Sequence, residues 1–252
     1  VLRMHRFFVQ PEDISEGIIR ISGSDYNHIY RSLRLGIGEE IIVSSGDGLD
    51  HRVEIRDFQD DAVITVIKES YRNENEPVLE VTLAQAIPKK SNMELIIQKC
   101  TELGIERIIP LNTERTIVKL EGKKQDQRRE RWQKIAEEAA KQSRRGRIPL
   151  IDQFYNLRQL DSIFPEFDLV LIPWEEEKGR GLKSVLEKVN LQEKKRILII
   201  IGPEGGVSQG EVDFVQKAGG IAVSLGPRIL RTETAGFVTL TALLYQAGEL
   251  GG

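Results

Sequence analysis

The stretch ILIIIGPEGGVSQGEV, Ile197–Val212, decides the fold. Its apolar run, Ile197–Ile201, stops at Gly202-Pro203-Glu204-Gly205-Gly206, with a carboxylate at the centre. A turn needs one or two special residues, and this one has four. Ser208 and Glu211 then form a capping box, so a helix starts there, and Gly219 can end it. The theme repeats in IAVSLGPRILRTETAG, Ile221–Gly236, where Ile221–Leu225 runs into Gly226-Pro227, two arginines and Thr232-Glu233-Thr234. Thr232 or Thr234 is the expected cap of the helix that follows. Each loop therefore passes from a strand to a helix N-terminus, where backbone N–H groups are free to meet a ligand. Glycine lets the backbone approach that ligand closely.

Several common sites are excluded. The chain has no G-x-G-x-x-G, no G-x-x-x-x-G-K-[ST] and no G-x-S-x-G. The plain alternative is a pair of tight turns in which Gly and Pro serve geometry alone. Two such loops at successive strand ends, carrying Glu204, Arg228, Arg231 and Glu233, point instead to a binding site.

Outward from these loops, the chain from Val78 onward alternates strands with helices. VLEVTLAQA, ERIIPL, DLVLIP, RILIIIG and IAVSLG read as strands. SNMELIIQKCTELG reads as a helix with Ser91 and Glu94 as its capping box and Gly104 at its end. Cys100 lies on its apolar stripe and reads as core rather than nucleophile. This alternation predicts a mainly parallel sheet covered on both faces. Residues 5–68 differ: five β-rich segments separated by Gly, Asp and Ser turns predict a small barrel or sandwich. One short helix is expected within them, in SDYNHIYRSLRLGIGE, capped by Ser24 or Asp25 with Ile29, Leu33 and Leu35 facing inward. The polar segment ESYRNENEP, residues 69–77, marks the domain boundary.

Composition sets bounds. The 252 residues are 40% hydrophobic and 30% charged, as expected of a globular protein with a sizeable core. No apolar run approaches the length that crosses a membrane, and the opening VLRMHRFF lacks a signal-peptide core. A lone cysteine and three scattered histidines provide no disulfide and no metal site. A cytoplasmic protein without metal is expected. The net charge of −3 is unevenly spread, because residues 123–147 carry ten Lys and Arg residues. That run is open to two readings, a solvated helix face or a phosphate-contacting patch.

The two loops, GPEGGVSQGEV followed by LGPRILRTETA, closely resemble the signature of the SPOUT-class RNA methyltransferases, specifically the RsmE family. HRFFV, HIYRSLRLGIGEEI, AIPKKSNMELIIQKCTELGIERIIPL and RWQKIAEEAAKQSRRGRIP are similar to its other segments, so the resemblance covers nearly the whole chain. It implies an α/β fold with a PUA-like β-barrel over residues 1–72 that binds RNA. Residues 73–252 would form a SPOUT domain with a parallel sheet and a deep C-terminal trefoil knot. Such a threaded chain would not be expected on general grounds. It further implies a homodimer that methylates N3 of one uridine in 16S ribosomal RNA, with S-adenosyl-L-methionine as cofactor and the small ribosomal subunit as partner. Pro173, Gly202, Pro203, Glu204, Gly205, Gly206, Leu225, Gly226, Leu230, Arg231 and Thr232 would line the cofactor pocket, with Glu175 a further candidate.

For the implied reaction, uridine N3 must lose its proton and align with the methyl–sulfur bond. Arg231 is the first candidate for the cation that stabilises the developing charge, and Arg228 the second. Arg228 has phosphate binding as its alternative role. Glu204 either accepts the proton or holds its loop by capping backbone N–H groups. Candidate RNA contacts are Arg6, His28, Arg31 and Arg34 in the first part, and Arg144, Arg145, Arg147 and Arg228 in the second. Three other readings stay open: methylation of a ribose 2′-hydroxyl or another base, an RNA-binding assembly factor without catalysis, and a nucleotide-binding α/β enzyme.

Overall fold

Residues Ile18–Ser22 alternate exposed and buried side chains, the period of a strand with one face in a core. They belong to the first of two units that the computed structural model contains. The structure describes residues 4–89, 92–117, 122–191 and 196–251. The first unit comprises Val1–Glu76 and Ala140–Ile148, and the second Pro77–Ala139 and Pro149–Gly252.

The first unit holds β1 (Arg6–Phe8), β2 (Ile14–Ser15), β3 (Ile18–Ser22), α1 (Gly23–Asn27), β4 (Glu40–Ser44), β5 (Leu49–Gln59) and β6 (Ala62–Arg72). The strands form one sheet in the order β1-β4-β5-β6-β3-β2. Every pairing is antiparallel except β1 with β4. Phe7, Ile19, Ile21, Ile29, Ile41, Val43, Val53, Ile55 and Val63 form its core. The expected short helix is present, but neither Ser24 nor Asp25 caps it. The helix begins at Gly23, two residues earlier than a Ser24 cap would start it, and its flanking Ser22 makes no capping bond. Asp25 is instead drawn into an ion pair with Lys141 at 3.1 Å. The chain then widens into a π turn over His28–Leu33, and only Ile29 of that turn is buried.

Two arginines expected to contact RNA are engaged inside this unit. Arg6 Nη1 donates to Asp50 Oδ1 at 2.5 Å and to Ser44 Oγ at 2.6 Å. Asn73 Nδ2 donates to the other Asp50 oxygen at 2.8 Å. Arg145 is only 2% exposed, and its guanidinium meets Glu76 at 2.8 Å. Glu76 also accepts from the backbone N–H groups of Gly146 and Arg147. Arg6 therefore neutralises a buried carboxylate and Arg145 a half-buried one, and neither is placed to meet a phosphate. The charge run read in one dimension contained no sign of Asp50 or Glu76, which lie far away in sequence.

The second unit holds β7 (Glu80–Ala86), α2 (Asn92–Leu103), β8 (Arg107–Asn112) and most of α3 (Lys123–Ser143). There follow β9 (Leu150–Ile151), β10 (Tyr155–Asn156), α4 (Leu157–Asp161), β11 (Leu169–Pro173) and α5 (Leu182–Leu186). The unit closes with β12 (Arg196–Ile201), α6 (Gln209–Lys217), β13 (Ile221–Val223) and α7 (Thr232–Gln246). The strand order is β10-β8-β7-β12-β11-β13, with β9 on β8, and every pairing is parallel. Residues Ile197–Ile201 are all buried, which is why this strand reads as a continuous apolar run. Each such side chain contributes roughly 1.5–3 kcal/mol of transfer free energy. Leu198 and Ile200 join Ile109, Val170, Ile172, Val212 and Ala222 in one core.

Ser91, half of the expected capping box, lies outside the described residues; Glu94 instead pairs with Arg131 at 2.8 Å. Gly104 follows α2 with φ +107°, where a Cβ would run into the Pro77 ring, so glycine is required there. Cys100 is fully buried, and burial pushes its thiol well above the ordinary range, so it is core and not a nucleophile. Among the described residues no helix is long and apolar enough to cross a membrane.

Replacing Arg145 by Ala should destabilise the protein by about 3 kcal/mol, since it removes a buried guanidinium and its bond to the half-buried Glu76 carboxylate. Urea unfolding measures this. A change below about 0.5 kcal/mol would mark the pair as a surface interaction.

Candidate functional site

β12, β11 and β13 are neighbours in the sheet, and all three run parallel, so their carboxyl ends open on one side. The loops that leave them meet there. Three polar bonds set the shape of the first loop. Thr232 Oγ1, at the start of α7, donates to the Gly202 carbonyl at 2.6 Å. The same oxygen accepts from Gln85 Nε2 of β7 at 2.8 Å. Glu204 Oε1 accepts from the Lys89 backbone N–H at 2.7 Å. The turn after β8 adds two more: Arg115 Nη1 donates to the Gly205 carbonyl at 2.8 Å, and Glu114 N donates to Glu211 Oε1 at 2.8 Å.

The glycines answer to steric need. A Cβ on Gly202 would lie 3.1 Å from both the Gly206 carbon and the Val207 nitrogen, because the loop folds back on itself. Gly206 has φ +70°, and a Cβ there would collide with the Glu175 carboxylate. The Ser208–Glu211 capping box is present, with reciprocal bonds of 2.9 and 3.3 Å. The second cap differs from expectation. Arg231 occupies the capping position of α7 without a side-chain bond, and neither Thr232 nor Thr234 caps the helix. Thr232 is turned away by its bond to Gly202.

These loops enclose a cavity of about 420 Å³, within the range of small-molecule sites. Of the eleven residues expected there, Pro173, Gly202, Pro203, Glu204, Gly206, Leu225, Gly226, Leu230, Arg231 and Thr232 line it. Gly205 does not; it faces Arg115. Glu175 and Arg228 also line the cavity. Arg228 and Arg231 are exposed and their side chains make no hydrogen bond or ion pair among the described residues, so both cations are available to a ligand. Glu204 is already occupied as a strut between its loop and Lys89. Trp174, also on the wall, keeps a buried indole N–H that has no partner among the described residues. No group of described residues could hold a metal ion.

The remaining candidates scatter. His28 is exposed, with its ring against Phe7. Arg31, Arg34 and Arg144 are exposed. Arg147 is half-buried and lies along Gly48. Sequence reasoning missed Gln85, Arg115 and Trp174. Gln85 alone carried a signal, as a long polar side chain near the end of an otherwise apolar buried strand.

Comparison with known proteins gives a consistent result. Residues 74–244 match the family model of an RNA methyltransferase domain, and residues 21–68 that of an RNA methyltransferase PUA domain. The chain is 36% identical to the ribosomal RNA small subunit methyltransferase E of Bacillus subtilis, with 99% of each chain covered. It is 35% identical to the protein of the same name from Synechocystis, over 95% of this chain and 77% of that one. Among solved structures, the ribosomal RNA small subunit methyltransferase E of Neisseria gonorrhoeae, bound to S-adenosyl methionine, superposes with a TM-score of 0.84. That match is 30% identical and covers 96% of this chain and 98% of the other.

Thr232→Val should cost about 1–3 kcal/mol in urea unfolding, because it leaves the Gly202 carbonyl without its donor and removes a partner of Gln85. Thr232→Ser should restore most of it. Equal stability of the Val and Ser forms would show that the bridging hydroxyl carries no energy.

Proposed function

The chain belongs to the RNA methyltransferase family, and from that premise we infer that it transfers a methyl group from S-adenosylmethionine to N3 of a uridine in 16S ribosomal RNA. The observation that carries the reading is the cavity at the ends of β11, β12 and β13, whose wall includes two unpaired arginines. The residues present fit the cofactor. The cavity has the right size, and its glycines carry no side chain that would fill it. The Neisseria gonorrhoeae structure of the same fold was crystallised with S-adenosyl methionine.

Pro173, Gly202, Gly206, Leu225, Gly226 and Leu230 would hold the cofactor through backbone groups and apolar contact. When bound, it supplies an electrophilic methyl group on a sulfonium, and no Lewis acid is needed. The protein's task is to orient the base and favour its anion. Arg231 stands at the N-terminus of the fifteen-residue helix α7, where its backbone carbonyl accepts from Ala235. Guanidinium and helix terminus together place positive charge where the uridine oxygens gain negative charge. Arg228, on the same wall, holds the adjoining phosphate or shares that charge. Glu204 maintains the loop through Lys89 rather than accepting the N3 proton.

The finer architecture follows the same reading. Residues 1–72 belong to a PUA-like barrel that docks RNA and that also takes in Ala140–Ile148, and the rest of residues 73–252 form the catalytic domain, whose two glycine loops cross in a trefoil knot. The close approach of the loops at Gly202 and Thr232 supports that crossing. The enzyme works as a homodimer in the cytoplasm. Leu95 on α2 with Val238 and Tyr245 on α7 offer an exposed apolar surface on two helices that pack together.

Small subunits from cells lacking the activity, incubated with the protein and methyl-labelled S-adenosylmethionine, should yield labelled 3-methyluridine. Arg231→Ala should lower the rate at least about 100-fold, the usual cost of removing an electrostatic stabiliser. Label in a 2′-O-methyl nucleoside would overturn the substrate and retain the fold. Absence of both label and cofactor binding would leave the assembly-factor reading.

A further inference from the structure

Between Tyr26 and Leu35, in the segment YNHIYRSLRL, the only charged side chains are Arg31 and Arg34. Tyr26 and Tyr30 lie four residues apart, across the junction of α1 with the π turn, and so project on one side of the turn. Their rings stack, with centroids 5.6 Å apart and planes 11° from parallel. Phe58 of β5 backs Tyr30 from the sheet, at 5.2 Å and 53°. Despite these two aromatic neighbours, Tyr30 remains 51% exposed. Its hydroxyl makes no hydrogen bond among the described residues.

The charges around this ladder are arranged to match. Arg31 and Arg34 are exposed, and neither side chain makes a hydrogen bond or ion pair among the described residues. Elsewhere in the same unit Arg6, Arg52, Arg56 and Lys68 are each committed to a carboxylate. Asp25, the acid within α1, is held by Lys141. The segment therefore presents a rigid, half-open aromatic face with two free cations beside it.

The geometry points to a stacking platform for an unpaired RNA base, with Tyr30 meeting the base face and Arg31 and Arg34 holding the flanking phosphates. This rests on the RNA-modifying reading above and adds to the charge-based candidates Arg31 and Arg34 an aromatic contact, Tyr30, that the charge pattern did not mark. Aromatic stacking selects unpaired nucleotides, because base faces inside a duplex are already covered. It tolerates any base, because every base has a π face. The surface thus recognises single-stranded RNA as a class.

The test uses the full chain and a short single-stranded oligoribonucleotide carrying one 2-aminopurine, alone or annealed to its complement. Native protein and Tyr30→Phe should quench the fluorophore and bind the single strand more tightly than the duplex. Tyr30→Leu, which keeps an apolar neighbour for Phe58, should bind about tenfold more weakly without change in the salt dependence. Replacing Arg31 and Arg34 by Ala should reduce the slope of log affinity against log salt by about 0.7 for each phosphate that is no longer neutralised. Equal binding by Tyr30→Leu and native protein, or equal affinity for duplex and single strand, would overturn the proposal. S-adenosylhomocysteine binding by each variant and methyl transfer to small subunits by the native protein are read in parallel. Loss of oligonucleotide binding in Tyr30→Leu, with native protein that methylates nothing, would sustain the platform and defeat the methyltransferase reading. The reverse pattern would do the opposite.

Discussion

The Thr232 hydroxyl donates to the Gly202 carbonyl and accepts from the Gln85 side chain, so that three segments distant in sequence meet at one oxygen. One is the end of β7, one the glycine loop after β12, and one the start of α7. Their close approach sets the floor of the cavity. It also turns Thr232 inward, which leaves Arg231 at the helix N-terminus with its side chain free. The position of an exposed cation on the cavity wall therefore depends on a neutral hydroxyl next to it. Buried polar contacts of this kind hold one arrangement against others because any alternative leaves carbonyl and amide unpaired.

Around that bond the charged residues divide into two groups with different tasks. Glu204, Arg115 and Glu211 are struts: each is bonded to backbone of another loop, and together they fix the glycine loop from outside. Arg228 and Arg231 make no such bonds. In the first unit the same division separates Arg6 and Arg145, locked on carboxylates, from Arg31 and Arg34. The cations that folding does not use are the ones open to a ligand, since a guanidinium already paired with a carboxylate has little attraction for a phosphate.

The glycines act by a second constraint, steric rather than polar. Gly202 must let its own loop return within van der Waals distance, and Gly206 must hold φ +70°, which L side chains rarely adopt. A loop of ordinary residues would push the strands' connections apart and fill the cavity between them.

Much was legible in one dimension. The run Ile197–Ile201, the capping box Ser208–Glu211 and the stripe through Cys100 each carry their structure locally, through hydrophobic period and short-range hydrogen bonds. The parallel sheet and the two glycine loops at its edge followed from these. Contacts between distant residues were not legible. Thr232 had the composition of a helix cap and became a tie between loops, because Gly202 lay within its reach. Arg6 and Arg145 had the look of RNA contacts, but Asp50 and Glu76 claimed them. Tyr30 carried no mark until Phe58 arrived beneath it from β5. Local pattern specifies which segments become strands and helices, because propensity and burial act over a few residues. The role of each polar side chain depends on partners many residues away, because a hydrogen bond or ion pair acts over about 3 Å and needs both groups brought together by folding.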